Sequence, residues 1–110
     1  MSDERRRHPR FKLTVPARLT VAGEELPGLL RDICRDAALV ESPRALEIDT
    51  TVLLGSELPE TGGPFEVVGR VIRVAEPEGE IHPLAVLFID VSPSTATRID
   101  LFLARQDAES

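Results

Sequence analysis

Strict alternation of apolar and polar residues begins at Phe11 and continues to Val21. Every second side chain in this stretch is apolar and the ones between are polar, with Pro16 as the exception. Because successive side chains of a strand point to opposite faces, a period of two predicts a half-buried β-strand over residues 11–21. Gly23-Glu24-Glu25 predicts a turn, and residues 26–34 predict a second strand that runs back along the first.

Four further segments predict short strands, at residues 37–40, 51–58, 65–75 and 81–91. Breaking residues separate them: Ser42-Pro43, the Gly62-Gly63 loop and the turn at residues 76–79. About six short strands with turn signals between them are typical of a small antiparallel barrel or sandwich.

The C-terminal segment has a different period. Ser92-Pro93 combines a capping residue with a proline suited to the first helical turn. Ile99, Phe102 and Leu103 then recur at helical spacing. We therefore expect a helix of about twelve residues whose apolar face belongs to the core and covers one mouth of the barrel. The predicted fold is mainly β: a small six-stranded antiparallel barrel with a C-terminal α-helix.

Length and composition favour one globular domain. The chain has 110 residues, of which 42% are hydrophobic, and there is room for a single core. Cys34 stands alone, which excludes an internal disulfide and fits a reducing compartment. The longest apolar run, residues 84–89, is too short to cross a bilayer, and no secretory signal precedes it. We expect a cytoplasmic protein without membrane insertion.

The residue types that carry catalysis are sparse. His8 and His82 have no partners at ligand spacing, and one cysteine cannot complete the three or four ligands of a zinc site. Cys34 as a nucleophile would need a base that the sequence does not place near it. Gly62-Gly63 is followed by proline and does not form a phosphate-binding loop. We expect no enzymatic activity, no metal and no cofactor.

Charge is distributed unevenly between the N-terminal segment and the rest of the chain. Residues 1–12 carry five basic and two acidic residues, a net charge of +3, whereas the remaining 98 carry eight basic and seventeen acidic residues, a net charge of −9. The acidic body disfavours a DNA- or RNA-binding role, because it repels phosphates. The absence of Trp and Tyr also removes the usual platforms for stacking bases. The basic segment is consistent with either a solvated tail or an arm that holds a compact anion.

Topology brings the basic segment toward a second polar segment. If strands one and two form a hairpin, residues 6–10 emerge beside residues 32–36, so arginines and the carboxylate of Asp32 share one surface. A guanidinium can bind phosphate bidentately, stack on a purine and donate to O6 and N7 of guanine. A carboxylate can accept hydrogen bonds from the N1–H and N2–H₂ edge of guanine.

The same two segments resemble the motifs of the PilZ domain family, bacterial receptors for the second messenger cyclic di-GMP. Arg6 and Arg10, in the sequence ERRRHPRF, match the paired arginines of the family's RxxxR motif. The segment DICRDAA that begins at Asp32 falls where the family carries (D/N)xSxxG. The later segments VGRVIRV and AVLFIDVS resemble its barrel strands, so the resemblance covers residues 4–104. It implies a PilZ domain at residues 10–106, and the charged residues 1–9 before it, which end at Pro9, are expected to form a flexible arm.

The resemblance implies a cyclic di-GMP site built from the arm and the second motif: Arg6, Arg7, Arg10, Asp32, Cys34 and Ala37. Arg6 and Arg10 would clamp guanine and phosphate with help from Arg7. Asp32 would read the guanine edge, and the last two residues would line the turn.

Two positions depart from the second motif. Cys34 replaces its serine, and the weak hydrogen bonding of a thiol predicts a loss of about 0.5–1.5 kcal/mol of binding free energy. Ala37 replaces its glycine, and a positive φ there would cost alanine about 1 kcal/mol. Together these terms predict cyclic di-GMP binding weaker by roughly ten- to a hundred-fold.

The family resemblance implies a stand-alone adaptor of cyclic di-GMP signalling. Such a protein would regulate motility or polysaccharide output through a protein partner, with the arm ordering on the ligand. The alternative is a PilZ-like protein-interaction module that no longer binds cyclic di-GMP.

Overall fold

A computed structural model describes the backbone of residues 11–109 and the side chains of residues 13–106. These residues form six strands and one helix. The elements are β1 (Phe11–Val21), β2 (Glu24–Ile33), β3 (Ala37–Ser42), β4 (Thr51–Ser56), β5 (Phe65–Val74), β6 (His82–Asp90) and α1 (Pro93–Glu109).

The six strands form a closed antiparallel barrel in the order β1-β2-β3-β6-β5-β4. The predicted barrel with a C-terminal helix is confirmed, and the sandwich alternative is wrong. Chain neighbours pair as hairpins within two three-stranded meanders, β1-β2-β3 and β4-β5-β6. Two seams join the meanders, one between β3 and β6 and one between β1 and β4.

Inward-facing residues of all six strands fill the barrel interior, and they alternate with outward-facing ones, as the period-two pattern predicts, except where a strand has a bulge. The interior is aliphatic, and its fully buried side chains include Leu19, Leu30, Ile33, Val40, Val52, Leu54, Val67, Val71 and Val86. Leucine and valine supply the volume that tryptophan and tyrosine provide in other domains of this size.

The hairpin between β1 and β2 turns earlier than the sequence indicated. Val21 pairs with Glu24, so the loop has two residues, Ala22 and Gly23, both with positive φ of 51° and 84°. This combination is typical of a type I′ turn, whose twist matches that of the flanking strands. The turn predicted at Gly23-Glu24-Glu25 is present, but only Gly23 belongs to it, because Glu24 and Glu25 already belong to β2.

Several other boundaries differ by a few residues. Strand β3 continues to Ser42 and β4 ends at Ser56, whereas we predicted ends at residues 40 and 58. Helix α1 has 17 residues instead of about twelve. Its apolar period ends at Leu103, but the polar segment that follows is composed of good helix formers and extends the helix.

Helix α1 covers the barrel mouth at which β2 ends and β3 begins. Ser92 caps its first turn by accepting a hydrogen bond from the Thr95 amide at 3.2 Å. The Thr95 hydroxyl in turn donates to the carbonyl of Glu66 on β5 at 2.9 Å. Ile99, Phe102 and Leu103 extend the hydrophobic cluster of the barrel, as predicted from their spacing. The opposite mouth is filled by Leu46, which comes from the long β3–β4 connection.

Candidate functional site

The second polar segment forms a tight turn between β2 and β3. The Cys34 amide donates to the carbonyl of Ala37 at 2.9 Å, which encloses Arg35 and Asp36. The Phe88 amide of β6 donates to the carbonyl of Asp36 at 2.8 Å. The turn is therefore held by backbone hydrogen bonds to its own hairpin and to the neighbouring strand.

Strand β1 begins directly beside this turn. The Cα atom of Phe11 pairs with that of Ile33, and Lys12 pairs with Asp32. The N-terminal end of β1 thus lies next to the second motif, as expected for a hairpin of strands one and two. Arg6, Arg7 and Arg10 lie outside the described residues, as does the predicted flexible arm at residues 1–9.

Asp32 is placed by a β-bulge. Leu30 pairs with Val40 and Asp32 with Leu39, so β2 has one residue more than β3 at this point. The inward positions Leu30 and Ile33 are consequently three residues apart, and Asp32 shares the outer face with Leu39. Its side chain is nevertheless buried, with 6% exposed. A bulge that re-aims a side chain in this way is common at binding sites.

A second bulge places Arg73 on the same face. Val71 pairs with Val86 and Arg73 with Ala85, so Ile72 is the extra residue of β5. A regular strand would turn Arg73 toward the interior behind Val71. The bulge turns both Ile72 and Arg73 outward, where both are exposed.

The two bulges lie at opposite ends of one row across the sheet. Asp32 of β2 pairs with Leu39 of β3, Leu39 pairs with Ala85 of β6, and Ala85 pairs with Arg73 of β5. The row lies along a concave slot of about 270 Å³ on the outside of the barrel. The slot is lined by Asp32, Ala37, Ala38, Leu39, Ile72, Arg73 and Ala85. It has an apolar floor with a carboxylate at one end and a guanidinium at the other.

The structure brings Asp32 and Ala37 together in the slot, whereas Cys34 is not part of its lining. Cys34 is a buried free thiol at the turn. Ala37 has ordinary strand geometry: among the described residues other than glycine, only Ala22, Asp49 and Glu60 have positive φ. The strain expected for alanine at this position is therefore absent, and that part of the sequence argument was wrong.

Arg35 connects the turn to the helix. Its Nε lies 2.9 Å from Oδ1 of Asp100 on α1. The hydrogen bond to Asp100 raises the pKa of Arg35 above its usual range, so the guanidinium stays charged at every physiological pH. The turn that carries the motif is thus tied to the element that covers the barrel mouth.

Arg73 differs from most described arginines in its contacts. Arg18, Arg31, Arg35, Arg44 and Arg105 each form an ion pair with a carboxylate. Arg98 donates to the carbonyl of Gly63. Arg70 and Arg73 form neither kind of contact within the part of the chain that the structure describes.

Sequence reasoning missed the contribution of β5 to the slot. A signal was present: continuing the alternation of Val67, Gly69 and Val71 places Arg73 inside the barrel. An arginine at an inward position indicates a bulge before it. This interruption of the alternation therefore predicts that Arg73 faces outward. Its neighbours in the slot could not be predicted in this way, because they depend on the pairing of β3 with β6, which no local pattern reveals.

Membrane-spanning helices and metal-binding clusters are both absent from the described residues. Residues 11–109 contain no helix long and apolar enough to span a membrane. Within the same part of the chain, no group of three or more histidine, cysteine, aspartate or glutamate side chains could hold a metal ion.

Solved structures with the same fold are numerous. The inhibitor of motility MotI/DgrA from Bacillus subtilis is 14% identical, with a TM-score of 0.78 over 96% of this chain and 52% of its own. YcgR from Escherichia coli, solved in complex with c-di-GMP, is 17% identical, with a TM-score of 0.77 over 96% of this chain and 47% of its own. The chain thus spans about half the length of these two proteins.

The isolated PilZ domain of Escherichia coli YcgR, solved with c-di-GMP, matches along nearly its whole length. It is 18% identical, with a TM-score of 0.72 over 96% of this chain and 95% of its own. At these identities the likeness concerns the fold alone. None of the curated protein sequences compared with the chain matches it.

The family comparison covers both motifs and the barrel between and beyond them. The sequence model of the PilZ domain matches residues 4–105, nearly the whole of the 110-residue chain. With the six-stranded barrel, the C-terminal helix and the motif turn beside the start of β1, this match establishes that the chain belongs to the PilZ domain family.

Proposed function

We propose that this domain is a receptor for cyclic di-GMP that acts as a signalling adaptor. The observation that carries the proposal is the position of Asp32, a buried carboxylate on the outer face of the barrel beside the start of β1. The arginines of the first motif, Arg6 and Arg10, directly precede β1 in the sequence. A PilZ-domain neighbour solved with c-di-GMP supports the same ligand.

Each ligand group has a complementary protein group in this proposal. The guanidinium groups of Arg6 and Arg10 bind phosphate and stack on a guanine, with Arg7 as an additional cation. The Asp32 carboxylate accepts hydrogen bonds from the N1–H and N2–H₂ groups of guanine, and burial strengthens these bonds by excluding water. The ligand carries two negative charges, so the basic segment compensates for the repulsion of the acidic body.

Calorimetric titration of the full chain with cyclic di-GMP tests the proposal. We expect saturable binding that is lost in Arg10→Ala and in Asp32→Asn, because each removes a group with no substitute nearby. Arg105→Ala is the matched control, since this arginine pairs with Glu60 at the far end of α1 and should leave the affinity unchanged. Wild-type protein that is folded and does not bind would overturn the proposal.

A protein-interaction module without the nucleotide is the second candidate. Two observations favour it: Cys34 stands at the serine position of the motif, and the Cβ of Ala37 occupies space in the slot. The same titration decides between the two, because this candidate predicts no heat of binding from the intact protein.

The adaptor role further requires a protein partner, with motility or polysaccharide output as the regulated process. The name of MotI, an inhibitor of motility, supports motility as one outcome. We expect that crosslinking in a lysate of the source bacterium captures a partner whose yield changes when cyclic di-GMP is added. A yield independent of the nucleotide would contradict ligand-controlled adaptor function.

A further inference from the structure

We infer that Arg73 is a guanine-specificity residue of the cyclic di-GMP site, acting from the end of the slot opposite Asp32. This inference rests on the proposed function and adds to it a residue that lies in neither motif. The guanidinium of Arg73 would donate two parallel hydrogen bonds, to O6 and N7 of one guanine. Asp32 would hold the opposite, hydrogen-bond-donating edge of the same base.

The placement of the two charges carries the inference. Both side chains reach the outer face through a bulge, one on β2 and one on β5. Opposite charges therefore lie at the two ends of one cross-strand row, which runs from Asp32 through Leu39 and Ala85 to Arg73. Bulges are often retained where they aim a side chain at a ligand.

The size of the slot suits a single purine. The Cα atoms of Asp32 and Arg73 are separated by three interstrand spacings, about 14 Å along the row. Both side chains line the slot, whose volume of about 270 Å³ has room for one fused ring system. The floor between them is formed by the apolar side chains of Leu39 and Ala85, against which the face of a base can pack.

The charge of Arg73 favours a ligand contact over a structural one. The body of the protein is acidic, and five other described arginines are already paired with carboxylates. Arg73 is exposed and contacts no carboxylate among the described side chains. An exposed guanidinium at the rim of an apolar slot is available to an incoming acceptor without first breaking an ion pair.

Guanine matches this arrangement better than adenine does. Guanine presents donors on N1 and N2 and acceptors at O6 and N7, which suit a carboxylate and a guanidinium respectively. Adenine carries an amino group in place of O6. That amino group is a hydrogen-bond donor, so it would face the donors of the guanidinium without forming a hydrogen bond. Arg73 is therefore expected to select the base through its edge, whereas the arginines of the first motif bind phosphate and stack on guanine.

The test is a calorimetric cycle on the full chain with two probes, cyclic di-GMP and its 7-deazaguanine analogue, which lacks N7. We expect Arg73→Ala to weaken cyclic di-GMP binding about tenfold or more. Wild-type protein should bind the analogue more weakly than cyclic di-GMP, whereas Arg73→Ala should scarcely distinguish the two. Arg73→Lys should not restore affinity, because an ammonium lacks the planar fork.

Arg70→Ala is the matched control. Arg70 is exposed on the same strand, carries the same charge and does not line the slot. Its loss should change the affinity less than twofold, and circular dichroism should show all variants folded.

Three outcomes would overturn the inference. Equal affinities of Arg73→Ala and Arg70→Ala would mean that Arg73 makes no contact, although wild-type binding would leave the proposed function standing. An equal loss for both probes, restored by Arg73→Lys, would assign Arg73 to phosphate instead of the base. Absence of binding by the wild-type protein would overturn the inference together with the proposed function.

Discussion

At the scale of single residues, the slot changes the effect expected from Ala37, which replaces the glycine of the second motif. Ala37 lies in β3 with ordinary strand geometry, so its methyl group strains nothing. It lines the slot instead, where it reduces the room for a ligand. The cost of this alanine is thus expected in the complex and not in the free protein.

This difference predicts opposite effects of Ala37→Gly on folding and on binding. Glycine in a strand should lower the free energy of unfolding by about 0.5–1 kcal/mol, because it increases the entropy of the unfolded chain. Removing the methyl group should at the same time tighten cyclic di-GMP binding. Urea unfolding and calorimetry on one preparation measure both. A gain in stability would show that backbone strain was present after all.

Combining Ala37→Gly with Cys34→Ser should strengthen cyclic di-GMP binding at least tenfold. A hydroxyl is a better hydrogen-bonding group than a thiol, and the restored hydrogen bond contributes about 0.5–1.5 kcal/mol to the binding free energy. Adding Arg10→Ala should abolish the gain, because the arginine fork binds both phosphate and guanine. A folded double variant without binding would favour the protein-interaction candidate.

Ala22 is strained, in contrast to Ala37. Its φ of 51° lies in the left-handed region, which costs non-glycine residues about 1 kcal/mol. Asparagine tolerates this region and is favoured before glycine in type I′ turns. Ala22→Asn should therefore raise the free energy of unfolding by roughly 0.5–1 kcal/mol. Ala45→Asn, at an exposed loop position without positive φ, should change it little. Equal effects of both substitutions would refute the strain.

At the scale of secondary-structure elements, the packing of β5 against β6 depends on Gly69. A Cβ atom built on Gly69 would lie 2.4 Å from Cγ1 of Val86 and 2.9 Å from the carbonyl oxygen of Leu87. Both groups belong to the paired strand, and the first is part of the core. The two strands can approach this closely only without a side chain at position 69.

Gly69→Ala should therefore destabilise the protein by about 1–3 kcal/mol, the usual cost of overpacking a core. Gly55→Ala is an informative control, because its Cβ would meet mainly the terminal atoms of the Arg18 side chain, 2.6 Å from Nη2, and these can move away. Thermal and urea unfolding measure both variants. Similar losses for the two would contradict the packing explanation.

The sequence predicted strands well where a single period extends through an element, and poorly where a bulge interrupts it. The alternation from Phe11 to Val21 gave β1 its observed limits, and the spacing of Ile99, Phe102 and Leu103 identified the buried face of α1. Arg73 was missed because the bulge at Ile72 changes the period within β5. For the site, Asp32 and Ala37 were found through motifs, whereas Leu39 and Ala85 required the long-range pairing of β3 with β6.

At the scale of the whole molecule, the barrel consists of two meanders joined along two seams. The β3–β6 seam has six paired positions and the β1–β4 seam only four. Ser56 reinforces the shorter seam, since its buried hydroxyl donates to the carbonyl of Pro16 at 2.8 Å. We therefore expect the barrel to open first between β1 and β4.

Ser56→Ala should lower the free energy of unfolding by about 1 kcal/mol, because the carbonyl of Pro16 loses its partner. It should also accelerate amide exchange specifically along the β1–β4 seam. Ser42→Ala is the control: that buried serine bonds only locally, to Arg44, and its loss should leave exchange at the seam unchanged. Uniform acceleration over the whole barrel in Ser56→Ala would show that the two seams open together.

The two bulges have a consequence for protein engineering and for evolution. Each inserts one residue into its ladder, and idealised backbones omit such irregularities to gain stability. A redesign that closed both bulges without deleting a residue would restore strict alternation, so that positions 32 and 73 would face the barrel interior. Both charged residues would then have to be replaced by apolar ones, and the recognition surface would disappear. A backbone idealised for stability would thus lose the site, in accord with the general conflict between stability and function.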